Sequence, residues 1–340
     1  MISPLPEWPV FGLADDARGP LRAALATGEP AVLATIVALG GGGPRPVGTQ
    51  MVIARDIVSG FLSGGCLEAD VAGHAEGVLE TGEPRRLVYG EGSPWPDIRL
   101  MCGARIEVQL ERIAPDDEAA AALFALTDAR VPALWLSDGM RRLCAPRAET
   151  PQAWQGALEK LYLPVARLIV LGADPTALAI AGLGAQAGFE TTLVRPRGPE
   201  APPPLAGVAY RRDEPEQALA AIGLDRWTAV AVATHDAELD HAALVEALPS
   251  PAFYVGALGA RRRLPERRLG LAAAGVSADQ IDRLYAPIGL DIGGKAPWEV
   301  AVAVLAQITA LRHGAEADAA TTDELVQNDT PNETSWPGAR

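Results

Sequence analysis

The chain has 340 residues, of which 49% are hydrophobic, and its formal net charge is −14 at pH 7. This length gives room for two domains, each with its own core. The acidic balance argues against binding to nucleic acid or to an anionic membrane surface, and no run of about 18 apolar residues predicts a membrane span.

The cysteines bear on the compartment of the protein. Cys66, Cys102 and Cys144 are an odd number and show no Cys-x-x-Cys spacing. This pattern fits a reducing compartment and argues against a disulfide scaffold or a four-cysteine zinc site. The N-terminal residues lack the basic and apolar regions of a signal peptide. We therefore expect a soluble cytoplasmic protein.

The first half of the chain mixes helices with strand pairs. Apolar periodicity predicts helices over residues 16–27, 67–79 and 117–127. It predicts strands over residues 31–39, 50–55, 58–63, 86–91, 104–110, 131–137 and 141–145. Short turns join these strands, which favours an α+β domain with a mixed sheet. We place this domain at residues 1–150 and a linker helix at residues 151–163.

A glycine-rich loop follows the first predicted strand. Gly40–Gly43 are four consecutive glycines, and Arg45 lies between two prolines. Such a loop lets a ligand approach the backbone closely and leaves N–H groups available to one anion. The Arg45 guanidinium adds a charged fork suited to phosphate or carboxylate. We predict an anion-binding loop that includes Gly42, Gly43 and Arg45; the alternative is a plain tight turn.

Two cysteines are candidates for chemistry. Cys66 follows Gly65 and directly precedes the helix predicted from Leu67. A thiol near a helix N-terminus is biased toward the thiolate, which bonds metals and accepts sulfur. Cys102 lies at a loop-to-strand junction before a glycine, where it can face a cleft. Either could instead be a small buried residue, as we expect for Cys144.

The second half switches to regular alternation of strands and helices. Strands are predicted over residues 167–171, 191–194, 228–233 and 253–258, and helices over 177–187, 237–247 and 298–312. This is the pattern of a Rossmann-like parallel α/β domain, which we place at residues 164–314. Residues 315–340 are acidic and poor in apolar side chains, which predicts a disordered tail.

The dinucleotide fingerprint of this domain is incomplete. Gly172 keeps the first glycine, but Asp174 replaces the second, where backbone would approach pyrophosphate. Arg195 stands where an acid that binds ribose is expected. The sequence therefore disfavours NAD(P) as a cofactor, although Arg195 could itself meet a phosphate.

Three further positions in the second half are candidates for cofactor binding. His235 follows a strand end, Arg261 opens a helix after a glycine, and Lys295 ends a glycine-rich loop. That loop is not a P-loop, because Ala296 lacks the hydroxyl that binds magnesium. Strand ends and helix starts are places where anionic ligands bind. The alternatives are a polar loop in which Asp236 caps the next helix, and a solvated basic turn.

Motifs spread over residues 30–313 resemble the xanthine dehydrogenase accessory family, also called XdhC/CoxI. The resemblance rests on Gly43-Pro44-Arg45-x-x-Gly48-x-x-Met51, Ser63-Gly64-Gly65-Cys66-Leu67-Glu68, His235-Asp236 and the segment from Ala286 to Pro297. The sequence departs from the family where Ala104 and Ala260 replace the usual glycine and serine.

This resemblance implies an accessory protein that binds molybdenum cofactor, more a carrier than a catalyst. Such a protein supports cofactor sulfuration and insertion into a xanthine dehydrogenase-type molybdenum hydroxylase. The implied partners are that hydroxylase and a cysteine desulfurase, and we expect a homodimer. The cofactor combines a phosphate with a soft, dithiolene-bound metal, so Cys66 is the expected metal ligand. Two alternatives stay open: an NAD(P)-dependent oxidoreductase, and a scaffold that docks desulfurase to hydroxylase without binding the cofactor.

Overall fold

The computed structural model describes residues 5–41, 43, 45–65, 67–91, 93, 103, 105–149 and 152–321, with side chains up to Gly314. The chain divides into two compact units, Met1–Val165 and Ala166–Arg340.

The described residues of the first unit form three helices and eight strands. The helices are α1 (Arg18–Leu25), α2 (Glu68–Thr81) and α3 (Glu118–Asp128). The strands are β1 (Ala31–Gly40), β2 (Gln50–Ile53), β3 (Val58–Gly60), β4 (Arg85–Tyr89), β5 (Arg105–Ile113), β6 (Ala133–Ser137), β7 (Arg142–Pro146) and β8 (Leu158–Tyr162). They build a five-stranded sheet, β3-β2-β1-β5-β4, and a three-stranded sheet, β7-β6-β8. All pairings of these strands are antiparallel.

Strand β1 is the centre of the larger sheet and is buried on both faces from Ala31 to Ile36. Val32, Ala34 and Ile36 belong to a core cluster with helix α2. Leu33, on the opposite face, packs in a second cluster with α1, α3 and the smaller sheet. Burial on both faces explains why this strand is a continuous apolar run and does not alternate with polar residues.

Strand β8 occupies the region predicted as a linker helix, so that prediction is wrong. It pairs antiparallel with β6, and the Tyr162 hydroxyl donates to Gln50 Oε1 at 2.6 Å. Pairing with a distant strand decides the structure of this segment, which local sequence pattern cannot reveal. The first unit consequently extends to Val165 and does not end at residue 150.

The second unit is a parallel sheet with helices on both faces. Its helices are α4 (Pro175–Gln186), α5 (Pro215–Ile222), α6 (Ala237–Ala247), α7 (Leu264–Ala273), α8 (Ala278–Asp282) and α9 (Pro297–Thr321). Its strands are β9 (Arg167–Gly172), β10 (Glu190–Val194), β11 (Val208–Arg211), β12 (Thr228–Ala233), β13 (Tyr254–Ala257) and β14 (Leu284–Tyr285). The order β11-β10-β9-β12-β13-β14 is the Rossmann order 3-2-1-4-5-6 when strands are counted within the unit.

Two apolar layers cover this sheet. Helices α4 and α9 pack on one face, around Leu168, Val170 and Val304. Helices α5, α6 and α7 pack on the other, around Ile169, Leu171 and Leu244. In this order the direction of chain progression reverses between β9 and β12, so the carboxyl ends of these two strands flank the usual ligand crevice.

The predicted fold class, an α+β domain followed by a Rossmann-like parallel α/β domain, is confirmed. The sheets of the first unit are antiparallel throughout their described strands and not mixed. Helix α9 runs to Thr321, so the disorder predicted from residue 315 is wrong for residues 315–321. The remainder of the predicted tail lies outside the described residues. The sequence analysis also missed β11, α5, α8 and β14.

Candidate functional site

The glycine-rich loop begins at the end of β1. Gly41 and Gly43 are exposed, whereas Gly42 lies outside the described residues. Arg45 is partly buried, and its Nη2 donates to Asp15 Oδ1 in the segment before α1. The Arg45 guanidinium therefore already has a carboxylate partner, but that partner is 72% exposed and can be exchanged for a ligand anion.

Lys160 lies beside this loop, and the sequence analysis missed it. It is half-buried in β8, and its Cδ lies 3.3 Å from the position that a Cβ on Gly48 would occupy. Gly48 has φ +85°, a backbone conformation that favours glycine, so this close approach depends on the glycine of the family motif. The pairing of β8 with β6 brings Lys160 to the loop, and only the sheet topology could have revealed this.

A buried carboxylate holds the turn that leads to position 66. Glu68 is 1% exposed, and its Oε1 accepts from the backbone N–H groups of Leu62 at 2.9 Å and Ser63 at 2.8 Å. Its Oε2 accepts from the Ser63 hydroxyl at 3.1 Å and from Leu67 N–H at 3.2 Å. Leu67 N–H also donates to Ser63 Oγ at 3.0 Å. Glu68 thus fixes the chain on both sides of Gly64–Gly65.

The predicted cysteine ligands themselves, Cys66 and Cys102, lie outside the described residues. Gly65, the candidate before Cys66, is exposed and has φ +97°. Cys144 is buried in the core beneath the smaller sheet, as predicted. Burial raises the pKa of the Cys144 thiol to about 11, so it is protonated and inert at neutral pH.

His74 is a partly buried residue of α2, as predicted from its isolation in the sequence. Its Nε2 lies 3.5 Å from Asp70 Oδ2, and its Nδ1 lies 2.8 Å from Arg85 Nη1. Asp70 in turn accepts from the Tyr89 hydroxyl at 2.6 Å. Because Arg85 can only donate, His74 Nδ1 is the acceptor and Nε2 carries the proton that faces Asp70. The network joins α2 to the edge strand β4.

In the second unit, Asp174 and His235 meet at the crevice between β9 and β12. Asp174 caps α4 by accepting from Ala177 N–H at 2.8 Å, and its Oδ2 lies 2.9 Å from His235 Nε2. Burial raises the pKa of Asp174, but the bonds from Ala177 and His235 outweigh it and hold this pKa below its ordinary value. A carboxylate and an imidazole therefore occupy the position at which a dinucleotide would place its pyrophosphate.

The loop that carries His235 is anchored from below. His235 has φ +60°, a conformation uncommon outside glycine, and Asp236 caps α6 by accepting from Glu238 N–H at 2.9 Å, as predicted. Asp240, which is 6% exposed, accepts from the Thr234 hydroxyl at 2.7 Å and from Arg267 Nη2 at 2.8 Å. The buried pair of Asp240 and Arg267 thus holds the loop after β12 in place.

The other two candidates of the second unit are exposed. Arg261 donates to Asp291 at 3.3 Å across the surface. The backbone N–H groups of Lys295 and Ala296 both donate to Glu299 Oε2 at 2.9 Å, so a carboxylate of the chain itself fills the place of an anion there. Only the side chain of Lys295 remains available to a ligand.

The loop before Lys295 is tied to the sheet by one buried amide. Gln307 Oε1 accepts from Gly289 N–H at 3.0 Å and from the Tyr254 hydroxyl at 2.8 Å. The Tyr254 ring stacks on Tyr285 with centroids 5.0 Å apart. Helix α9, strand β13 and this loop are therefore one connected structure.

Two searches of the described residues give further limits. They contain no group of three or more His, Cys, Asp or Glu side chains that could hold a metal ion. No helix in the same part of the chain is long and apolar enough to cross a membrane. A metal ligand set built by Cys66 or Cys102 would lie outside the residues that were searched.

Two family models match the chain. The model of the XdhC and CoxI family matches residues 24–90, which include the glycine loop and the turn held by Glu68. The model of the XdhC Rossmann domain matches residues 168–308, which span the parallel sheet.

Known proteins match nearly the whole length. The chain is 32% identical over 311 residues to the molybdenum cofactor insertion chaperone PaoD of Escherichia coli (strain K12), covering 90% of this chain and 92% of the relative. It is 27% identical over 330 residues to a protein of Bacillus subtilis (strain 168) that is named as a probable xanthine dehydrogenase component, covering 86% and 96%.

A solved structure supports the fold. The crystal structure described as a xanthine dehydrogenase from Bacillus halodurans superposes with a TM-score of 0.72, covering 88% of this chain and 96% of that one at 23% identity. Taken with the two matching family models and the similarity to PaoD, the chain belongs to the XdhC and CoxI family.

Proposed function

We propose that this protein binds molybdenum cofactor as cargo and supports its maturation and insertion into a molybdenum hydroxylase. The observation that carries the proposal is the similarity to a molybdenum cofactor insertion chaperone over 90% of this chain and 92% of the relative. Similarity of that extent includes both units, so it covers the complete arrangement and not one shared domain.

The first unit supports the proposal through its prepared turn. Glu68 holds Ser63 and Leu67 by backbone and hydroxyl contacts, so the intervening residues form a short exposed segment on a fixed base. We propose that Cys66 in this segment is the molybdenum ligand, because a thiolate is a soft donor that suits a soft, dithiolene-bound metal. Cys102 is a second candidate. The exposed Gly43 and the guanidinium of Arg45 would serve the phosphate of the same cargo.

The second unit supports a carrier over an NAD(P)-dependent oxidoreductase. Asp174 accepts from Ala177 N–H, the contact that a pyrophosphate would otherwise receive, and its negative charge would repel that group. His235, Arg261 and the Lys295 side chain remain as contacts for the cargo. Titration calorimetry with NAD and NADP tests this choice: we expect no saturable binding, and micromolar affinity would favour the oxidoreductase.

The finer parts of the proposal concern partners. We propose that the cargo is sulfurated while bound, with a cysteine desulfurase as the sulfur donor and a xanthine dehydrogenase-type hydroxylase as the receiver. We also propose a homodimer. Size-exclusion chromatography with light scattering tests the dimer. Pull-downs with desulfurase and hydroxylase, each with and without cofactor, test the partners, because a scaffold would bind both regardless of cofactor.

The central experiment compares two cysteine variants. Wild type, Cys66→Ala and Cys144→Ala are purified from a molybdenum-replete host and assayed for molybdenum and for pterin. We expect Cys66→Ala to lose most of the molybdenum while keeping its circular dichroism spectrum. Cys144→Ala is the matched control, since Cys144 is buried in the core, and it should retain the wild-type content. Equal molybdenum in wild type and Cys66→Ala would refute the role of Cys66, and absence of pterin from all three would refute the carrier.

A further inference from the structure

The position of Lys160 is fixed by packing and not by a counter-ion. The stem of its side chain passes Gly48, with Nζ 3.8 Å from the position of a Cβ there. Its ammonium lies 5.7 Å from the centre of the Tyr162 ring. Tyr162 itself is held by its hydrogen bond to Gln50 in β2. The ammonium is therefore directed to one place beside the glycine-rich loop, without the freedom of an ordinary surface lysine.

The charges around Lys160 do not balance. Asp16 and Arg18 form one ion pair, with Arg18 Nη2 2.5 Å from Asp16 Oδ2. Asp15 and Arg45 form a second. Lys160 makes no ion pair or hydrogen bond with any residue that the structure describes. Three cations therefore share two carboxylates, each of which already has an arginine partner.

This excess positive charge lies in a partly desolvated position. Burial lowers the pKa of Lys160, and the nearby Arg18 and Arg45 act in the same direction, whereas Asp15 and Asp16 oppose it. Desolvation and like charge both disfavour an ammonium without a partner. A bound anion would relieve both effects at once, and a phosphate offers several acceptor oxygens to the lysine and the arginine together.

We propose that Lys160 and Arg45 form a phosphate-binding site in the first unit, and that this site takes the phosphate monoester of the cargo. The inference deepens the proposed function and rests on it for the identity of the ligand. Arg45 and Gly48 belong to the family motif, whereas Lys160 comes from β8, which only the fold brings to that motif. Asp15, the exposed partner of Arg45, is the carboxylate that an incoming phosphate displaces.

The chain offers a direct test because Lys160 and Lys295 are its only lysines. Pyridoxal 5′-phosphate carries an aldehyde and a phosphate monoester, and it forms an imine with a lysine near its phosphate, with loss of water. Borohydride reduction fixes the label, and peptide mass mapping assigns it. Pyridoxal, which lacks the phosphate, is the matched reagent. The variants are Lys160→Arg and Lys295→Arg, which leave one lysine each, and Arg45→Gln.

We expect the phosphorylated aldehyde to label Lys160 at least tenfold faster than pyridoxal does, and inorganic pyrophosphate to suppress that labelling. Arg45→Gln should reduce the preference to less than twofold. Equal labelling of Lys160 by both reagents, or no protection by pyrophosphate, would overturn the proposal. A phosphate preference at Lys295 instead of Lys160 would move the phosphate to the second unit and would also overturn it.

The outcome is separable from that of the proposed function. The labelling needs no molybdenum cofactor, so a phosphate preference at Lys160 in a protein that never contains pterin would support the site and refute the carrier. Cofactor content that depends on Cys66, without any phosphate preference at Lys160, would support the carrier and refute the site.

Discussion

The substitution Glu68→Gln tests whether one buried carboxylate sets up the turn before position 66. Glutamine keeps the volume of the side chain but replaces one oxygen with an NH₂ group. In the native protein both oxygens accept hydrogen bonds, from three backbone N–H groups and one hydroxyl. An NH₂ group cannot accept from an N–H donor, so the substitution leaves at least one donor unsatisfied.

The cost follows from these contacts. The bond to Leu67 N–H is lost if the glutamine oxygen stays toward Leu62 and Ser63, and a hydrogen bond to a charged group contributes about 1.5–3 kcal/mol. The two remaining N–H bonds weaken toward the neutral range of about 0.5–1.5 kcal/mol. Neutralising the buried side chain returns part of its desolvation cost. We therefore expect the turn to lose about 2–4 kcal/mol.

Hydrogen exchange read by mass spectrometry measures this loss where it occurs. Since about 1.4 kcal/mol corresponds to a factor of ten, exchange at the amides of Leu62, Ser63 and Leu67 should accelerate about 30-fold or more. Glu80→Gln, at an exposed position of the same helix, is the matched control and should leave exchange unchanged. Exchange in Glu68→Gln within about threefold of wild type would refute the reasoning, because about 0.7 kcal/mol cannot represent a lost bond to a buried charge.

Three further predictions concern single residues. Iodoacetamide at pH 7 should label Cys144 slowly in the native protein and quickly in urea, since burial raises its pKa to about 11; fast native labelling would contradict its burial. The Asp174 pKa is lowered in the folded state, although burial alone raises it, because its hydrogen bonds, including the one from His235, prevail. Its stabilising contribution is thus present above the unfolded-state pKa of about 3.9 and is lost as the pH falls through the lower folded value, so Asp174→Asn should flatten the acid side of a plot of melting temperature against pH. Gly172→Ala should destabilise the second unit by about 1–3 kcal/mol in thermal unfolding, because its Cβ would lie 2.5 Å from the Ala233 carbonyl oxygen; an unchanged melting temperature would show that the strands can move apart.

Much of the second unit could be predicted from sequence because its signals are local. Alternating apolar strands and helices, together with Gly172 and Asp174, indicated a Rossmann-like domain with an altered fingerprint. The partner of Asp174 could not be predicted, since His235 is 61 residues away and meets it only because β9 and β12 are neighbours in the sheet. Capping by Asp236 was predictable, because a cap acts on the helix that directly follows it.

The first unit was harder because its decisive contacts are long-range. Residues 158–162 were predicted as part of a helix, although they pair with β6, and Lys160 was therefore not recognised as a neighbour of the glycine-rich loop. Arg45 was correctly placed in a motif, but its ion pair with Asp15 depends on the path of the N-terminal segment. Glu68 was recognised as part of a motif, whereas its role as the acceptor for three amides became visible only in the folded turn.

The strand order of the first unit has a consequence for synthesis. Strand β1 pairs Ala31 with Ile113 in β5, and β8 completes the smaller sheet only at Tyr162. A nascent chain therefore exposes the apolar faces of β1 until at least the fifth strand has left the ribosome, for several seconds at about 5–20 residues per second. Sheets built from such distant pairings form slowly and are prone to aggregation in the interval. A fragment that ends at residue 150 would remain in that state, because it lacks the strand that carries Lys160 and Tyr162.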